Sequence, residues 1–417
     1  MVRYFQGLRQ LGPAVGLYFL CVGLVGFVLD GGVFAVLLNL YLIRLGYGPE
    51  MIGLINSAGT LTFALASLPA GALGSRFGSR AMLLIGIAMM LVGCLLLPLA
   101  DALAIDARLP WLITFNIGIY LGLALFFVNT APFIIGAIAP GDRSKVFSIQ
   151  TALMSLAAFA GSLFGGFLPP LFASMLASDL SQPAPYRYAL ILAGIAMLPS
   201  LLAIRAVRTP DEPGDIAVAP GGAPLNAAGA IFGLLLIMAL VRLLQVAGLA
   251  ATSTFFNVYL DQALMLPTAQ IGAIIAAGRL LAVPAALATS TLTNRFGTRS
   301  VVIWVTVGTA LSMLPIALVP HWSAAGISFI GVVGLSWIRY AASIVYFLEL
   351  VPPSRRALVS GVTEMAAGIC FTLVTFGGGF VIASFGYNIL FLAGAAITGL
   401  SALAFWLAFR KREPLPG

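Results

Sequence analysis

Apolar residues along this chain fall in long runs of about twenty or more, separated by short polar stretches. An α-helix rises 1.5 Å per residue, so each run is long enough to cross the ~30 Å hydrocarbon core of a bilayer. Twelve segments read this way: 14–43, 49–74, 81–100, 110–138, 146–172, 187–207, 228–260, 269–293, 301–319, 323–350, 357–383 and 389–409. A membrane barrel strand needs only about ten residues and alternates in polarity, which these runs do not. The pattern predicts an all-α integral membrane protein. Its first apolar run is about 27 residues long, too long for a signal-peptide core, and is read as a retained anchor.

Composition narrows the class further. Of 417 residues, 61% are hydrophobic and 8% charged, whereas a soluble domain carries about 25% charged residues. A disordered chain is excluded by the same balance. Glycine, 46 residues, exceeds its usual share, which suits close helix approach in lipid. Cys21, Cys94 and Cys370 lie inside apolar runs and read as packing residues. His321 is the single histidine, so no metal cluster and no cofactor are expected.

The net charge of +8 does not point to nucleic acid, because the basic residues sit in short clusters between apolar runs. One set of loops, which includes both termini, holds Arg3, Arg9, Arg76, Arg80, Arg143, Lys145, Arg205, Arg208, Arg295, Arg299, Arg355, Arg356, Arg410, Lys411 and Arg412. The opposite loops hold Arg44, Arg108 and Arg187. Positive loops stay inside, so both termini are expected in the cytoplasm of a cell (inner or plasma) membrane.

The chain also repeats itself. Residues 51–80 align with 270–299 without a gap, with thirteen of thirty positions identical, among them Gly53/Gly272, Arg76/Arg295, Gly78/Gly297 and Arg80/Arg299. The expected organisation is a six-helix bundle over 1–208, a Pro/Gly-rich cytoplasmic linker over 209–226, and a second six-helix bundle over 227–417. Two parallel six-span repeats are a transporter architecture, with the solute site between the halves near mid-membrane.

Gly71-Ala-Leu73-Gly-Ser75-Arg76-Phe-Gly78-Ser-Arg80 is similar to the G-x-L-x-D-R-x-G-R-R loop signature of the major facilitator superfamily. A worn copy, Asn294-Arg295-Phe-Gly297-Thr-Arg299, stands in the second half. The resemblance covers essentially the whole chain. It implies two pseudo-symmetric six-helix bundles, with spans 3, 6, 9 and 12 facing lipid. The motif's acidic position is Ser75 here and Asn294 in the repeat, so a cytoplasmic latch would rest on Glu349 with Arg295, Arg299 or Arg356. Glu349-Leu-Val-Pro-Pro-Ser-Arg355-Arg356 resembles the E-x6-R pattern of sugar porters. Gly161-Ser162-Leu-Phe-Gly165-Gly166 resembles a fifth-span motif of drug antiporters, but their fourth-span R-x-x-Q-G motif is missing, with Gly118 and Leu121 at its polar positions.

Five ionisable residues lie inside spans: Asp30, Arg242, Arg279, Arg339 and Glu364. Ionised groups in hydrocarbon cost at least ~2.5 kcal/mol, so they mark partners or function. None of the five is matched in the other half, whereas the loops and glycines are. We therefore read the repeated part as scaffold and the unrepeated part as chemistry. Arg242 and Gln245 share a helix face and offer donors to a carboxylate or phosphate, or Arg242 pairs with Glu364 or Asp30 to hold packing. Asp30 and Glu364 are candidates for proton coupling. Asn116, Tyr120 and Asn129 on the fourth span can hydrogen-bond a solute or join helices. Three arginines against two acids tilt the interior toward an anionic substrate.

These readings converge on a monomeric secondary transporter of a small organic solute, proton-coupled and working by alternating access. A multidrug or metabolite efflux antiporter is the alternative, and a lipid flippase or a non-transporting receptor stands behind it. The chain carries no nucleotide-binding loop and no hydrolase motif, so it is not expected to be an enzyme.

Overall fold

A computed structural model describes residues 12–137, 143–207, 225–352 and 355–410. Most of the 209–226 linker, Arg3, Arg9, Arg208, Lys411, Arg412 and the side chains of Arg143 and Lys145 lie outside the described residues. Among the described residues the secondary structure is helical, without strands, and twelve spans are long and apolar enough to cross a membrane. This is a multi-pass membrane protein.

The first half runs α1 (Gly12–Val28), α2 (Val33–Arg44), α3 (Pro49–Phe77), α4 (Ser79–Leu96) and α5 (Ile105–Ala137). It continues with α6 (Arg143–Leu176), α7 (Ala184–Ala196) and α8 (Leu198–Ala206). After it come α9 (Leu225–Gln262), α10 (Thr268–Phe296), α11 (Thr298–Ser312), α12 (Leu314–Leu318), α13 (Trp322–Glu349), α14 (Arg356–Phe385) and α15 (Tyr387–Phe409).

Four spans that read as single helices from sequence are interrupted. In three the cause is proline: Pro98, Pro199 and Pro315 each sit in the first turn of a new helical piece, where a missing N–H costs nothing. The first span breaks at Leu29–Gly32 for a different reason. There Leu29 and Asp30 both donate to the Val25 carbonyl, and Gly31 takes a left-handed φ of +84°. Gly32 has no room for a side chain against the Phe27 carbonyl, and a side chain at Gly161 of α6 would strike the same carbonyl. Asp30-Gly-Gly is therefore a helix break rather than a mid-helix run.

The chain gathers into two compact units. One comprises Met1–Gly46, Leu65–Ile216 and Pro267–Ala276; the other comprises Tyr47–Ala64, Ala217–Leu266 and Ala277–Gly417. In the second unit α9 lies against α14 and α15, and α11 against α13. Tyr346, Phe347, Phe405 and Phe409 stack into its core, with the Phe405 and Phe409 centroids 5.0 Å apart. Lipid tails are as apolar as these side chains, so close packing rather than burial from water holds such contacts.

The sequence repeat has a geometric counterpart. The turns after α3 and α10 each pass through a left-handed glycine, Gly78 at φ +86° and Gly297 at φ +79°. Two residues on, Arg80 Nη2 donates to the Arg205 carbonyl at 2.8 Å and Arg299 Nη1 to the Arg410 carbonyl at 3.0 Å. Helix C-termini leave carbonyls without intrahelical donors, and each arginine supplies one.

Candidate functional site

Three of the four unrepeated intramembrane charges of the second unit, Arg242, Arg339 and Glu364, converge on the packing of α9, α13 and α14. Arg242, on α9, is 8% exposed, and its guanidinium lies 4.9 Å over the Tyr340 ring of α13. Its Nη2 faces Glu364 Oε1 of α14 at 3.8 Å, a loose ion pair. Glu364 is the open side of this pair, with 49% of its side chain accessible against 10% for Arg242. The Tyr340 hydroxyl also reaches the Glu364 carboxylate. Of the two pairings expected for Arg242, the one with Glu364 is present.

Behind this pair sits Arg339 of α13, 1% exposed. Its Nη2 donates to Ser336 Oγ at 3.2 Å, one turn earlier on the same helix. Its Nε and Nη1 meet no acceptor among the described residues. Arg242 lies within electrostatic range, as does Cys370 of α14. Gln245, one turn after Arg242 and fully buried, has neither amide atom paired among the described residues. Ser343 Oγ, a turn beyond Arg339, is unpaired as well. Each unsatisfied buried polar group costs about 1–3 kcal/mol, and an unpaired ion more. Two guanidinium groups against one carboxylate leave this region positive when all three are ionised. The accessible edge of this region is where Arg242 and Glu364 meet.

The remaining candidates are placed differently. Asp30 belongs to the other unit, at the α1–α2 break, and is exposed rather than buried among helices. It acts electrostatically on the Tyr120 phenol of α5. Asn129 donates to the Ala70 and Leu125 carbonyls at 3.1 and 2.9 Å and so ties α5 to α3. Asn116 is buried on α5. Arg279, half-buried on α10, is joined to the Arg242 cluster by no hydrogen bond or ion pair among the described residues.

The loop-motif residues Gly71, Leu73, Ser75, Arg76 and Gly78 are exposed, as are Asn294, Arg295 and Gly297. Ser75 Oγ donates to the Ala72 carbonyl of its own helix at 2.8 Å. Arg76 and Arg295 each lie over the following phenylalanine, at 5.2 and 5.3 Å. Glu349 ends α13 half-buried, Arg355 caps the start of α14, and Arg356 Nε donates to the Leu348 carbonyl at 3.2 Å. The glycines of the fifth-span motif serve packing: Gly161 meets the α1–α2 break, and Gly165 approaches Val33 Cα.

Sequence reasoning overlooked Tyr340, the aromatic partner of Arg242, although it follows Arg339 directly. It also overlooked Asp101. That carboxylate pairs with Arg187 Nη1 at 2.7 Å and accepts from the Tyr41 hydroxyl at 3.4 Å, and its carbonyl accepts from Arg108 Nη2 at 3.2 Å. Arg44 donates to the Leu180 carbonyl and the Tyr186 hydroxyl nearby. All three arginines of the sparsely charged loops are thus bound into the fold of their unit.

The family model described as Major Facilitator Superfamily matches residues 20–338 and 238–417. No curated protein sequence matches significantly. Among solved structures the chain is similar to the nucleoside transporter NupG, at a TM-score of 0.75 and 16% identity over 95% of this chain and 100% of that one. It is similar also to the xylose transporter XylE from E. coli in an inward open conformation, at 0.72 and 14% identity, covering 96% of each chain. A bacterial homolog of the human lysosomal transporter Spinster matches at 0.70 and 16% identity, over 94% of this chain and 96% of that one. At these identities the likeness is one of fold.

Proposed function

The chain belongs to the Major Facilitator Superfamily, and from that membership we propose a proton-coupled secondary transporter that carries a small organic anion. The halves 1–208 and 227–417 act as the two moving bundles, joined by the 209–226 linker, with both termini cytoplasmic in the cell membrane. The observation that carries the anionic preference is the Arg242–Arg339 pair, with donors left over after Glu364 and Ser336 are counted. A cationic substrate would add a third positive charge to a region already short of negative ones. Proton coupling rests on the two accessible acids, Asp30 and Glu364, either of which can gain or lose a proton without being dug out of packing.

The test is flux in proteoliposomes, with solutes chosen by thermal stabilisation of the purified protein, since a ligand stabilises by RT ln(1 + [L]/Kd). Organic acids should stabilise and accumulate against their gradient when an inward proton gradient is imposed. Stabilisation by lipophilic cations alone would replace the anion reading with efflux. Equal accumulation with and without the gradient would remove proton coupling.

A further inference from the structure

We infer that the anion taken up at Arg242 is a carboxylate, and that it takes the place Glu364 holds in this structure. The inference deepens the transporter reading above and rests on it. It starts from an asymmetry in the ion pair. Arg242 is fixed: it is buried on α9, its face is covered by Tyr340, and Arg339 stands behind it. Glu364 is neither buried nor close, with half its side chain accessible and 3.8 Å between nitrogen and oxygen. A strong charge-assisted hydrogen bond would measure about 2.7–2.9 Å. The cation is thus built into the fold, and its carboxylate partner approaches from the accessible side.

That partner also defines the chemistry the position accepts. With its face on Tyr340, Arg242 presents an edge, and the group already meeting it is a planar carboxylate. An incoming carboxylate makes the same contact and can close the gap that Glu364 leaves. Arg339 adds a fixed positive field, because its own donors are not used up. Glu364 must then leave, and it leaves most readily as the neutral acid. Protonation breaks its claim on Arg242 while the arriving anion renews the charge balance, so anion and proton enter together.

The groups facing Glu364 are Arg242 from α9 and Tyr340 from α13, with Arg339 and Cys370 further in. None of these four offers the accessible, displaceable negative charge that the exchange needs.

The experiment uses formate as the smallest carboxylate, with formamide as its neutral counterpart and inorganic phosphate as the competing anion. Thermal stability of purified full-length protein is followed as each is titrated at constant ionic strength, for wild type, Glu364→Gln and Arg242→Gln. Removing a competing ion pair of this exposure should tighten formate binding up to about fivefold in Glu364→Gln. Wild type should bind formate more tightly at acid than at alkaline pH, and Glu364→Gln should lose that dependence. Arg242→Gln should not respond, and formamide should do nothing.

If Glu364→Gln binds formate as wild type does, with the same pH dependence, displacement is refuted while the anion reading stands. If formate stabilises none of the three proteins, or stabilises Arg242→Gln equally, both fall. A phosphate response exceeding that of formate overturns the carboxylate assignment alone. Because Glu364 is accessible, its variant is expected to fold, so the decisive comparison survives even if Arg242→Gln does not.

Discussion

The intramembrane charge of the first half and those of the second are built in opposite ways. Asp30 stands exposed at a helix break made by two glycines. Arg242 and Arg339 sit inside continuous helices, buried, with Glu364 at their accessible edge. The break leaves the Asp30 carboxylate exposed rather than packed among helices. The second cluster is expensive to keep, since Nε and Nη1 of Arg339 meet no acceptor among the described residues. A costly arrangement without a matching structural gain is where binding chemistry is expected, and a cheap one is where a proton can pass. The contrast supports the proposed reading, in which binding falls to the second half and coupling to the acids.

The largest effect should come from the scaffold under Asp30. Gly161→Leu drives a side chain into the Phe27 backbone, which cannot move aside as a flexible side chain would. Loss of well over the ~1–3 kcal/mol typical of overpacking is expected, seen as failure to yield monodisperse protein. Arg339→Met tests the other side of the comparison. Replacing an under-satisfied buried charge with an apolar residue of similar length should raise thermal stability, by roughly 1–4 kcal/mol, while transport falls. A variant that loses both would make Arg339 a packing residue and dissolve the contrast.

Tyr340→Leu should weaken anion binding by about 0.5–2 kcal/mol through loss of the ring under Arg242, with Tyr340→Phe retaining most of it. Isothermal titration of the two variants separates the ring from the hydroxyl. Arg80→Gln and Arg299→Gln should each cost about 1 kcal/mol, equally, because each removes one equivalent helix-end hydrogen bond. Unequal melting shifts would show that the two loops, alike in sequence and geometry, do different work. Asp30→Asn should leave the melting temperature unchanged, since the carboxylate is exposed, and should reduce uphill accumulation if it shares the coupling with Glu364.

How much of this could be read beforehand varies with the physics. Arg242, Gln245, Arg339 and Glu364 stood out because hydrocarbon penalises polar groups, which makes each a signal against an apolar background. Tyr340 did not stand out, because a tyrosine in an apolar helix is ordinary until a cation is found over its ring. Asp101 was hidden in the same way: at a span end a carboxylate is unremarkable, and its partners Tyr41, Arg108 and Arg187 are scattered over nearly 150 residues. Arg80 and Arg299 were visible as a motif, but their acceptors, the Arg205 and Arg410 carbonyls, are backbone groups that no motif records. The break at Asp30 carried a signal in its two glycines, yet such pairs are also common within packed membrane helices.

By itself the sequence determined that the chain crosses a membrane twelve times, in two related halves, with its intramembrane ionic residues confined to a few spans. Those properties are set by the cost of placing polar groups in lipid, which acts residue by residue along the chain. Only the tertiary structure decided that Glu364 faces Arg242, that Arg339 keeps unused donors, and that Asp30 lies open at a break. Distance and burial depend on how helices far apart in sequence come to pack. Nothing in the local run of residues carries that information.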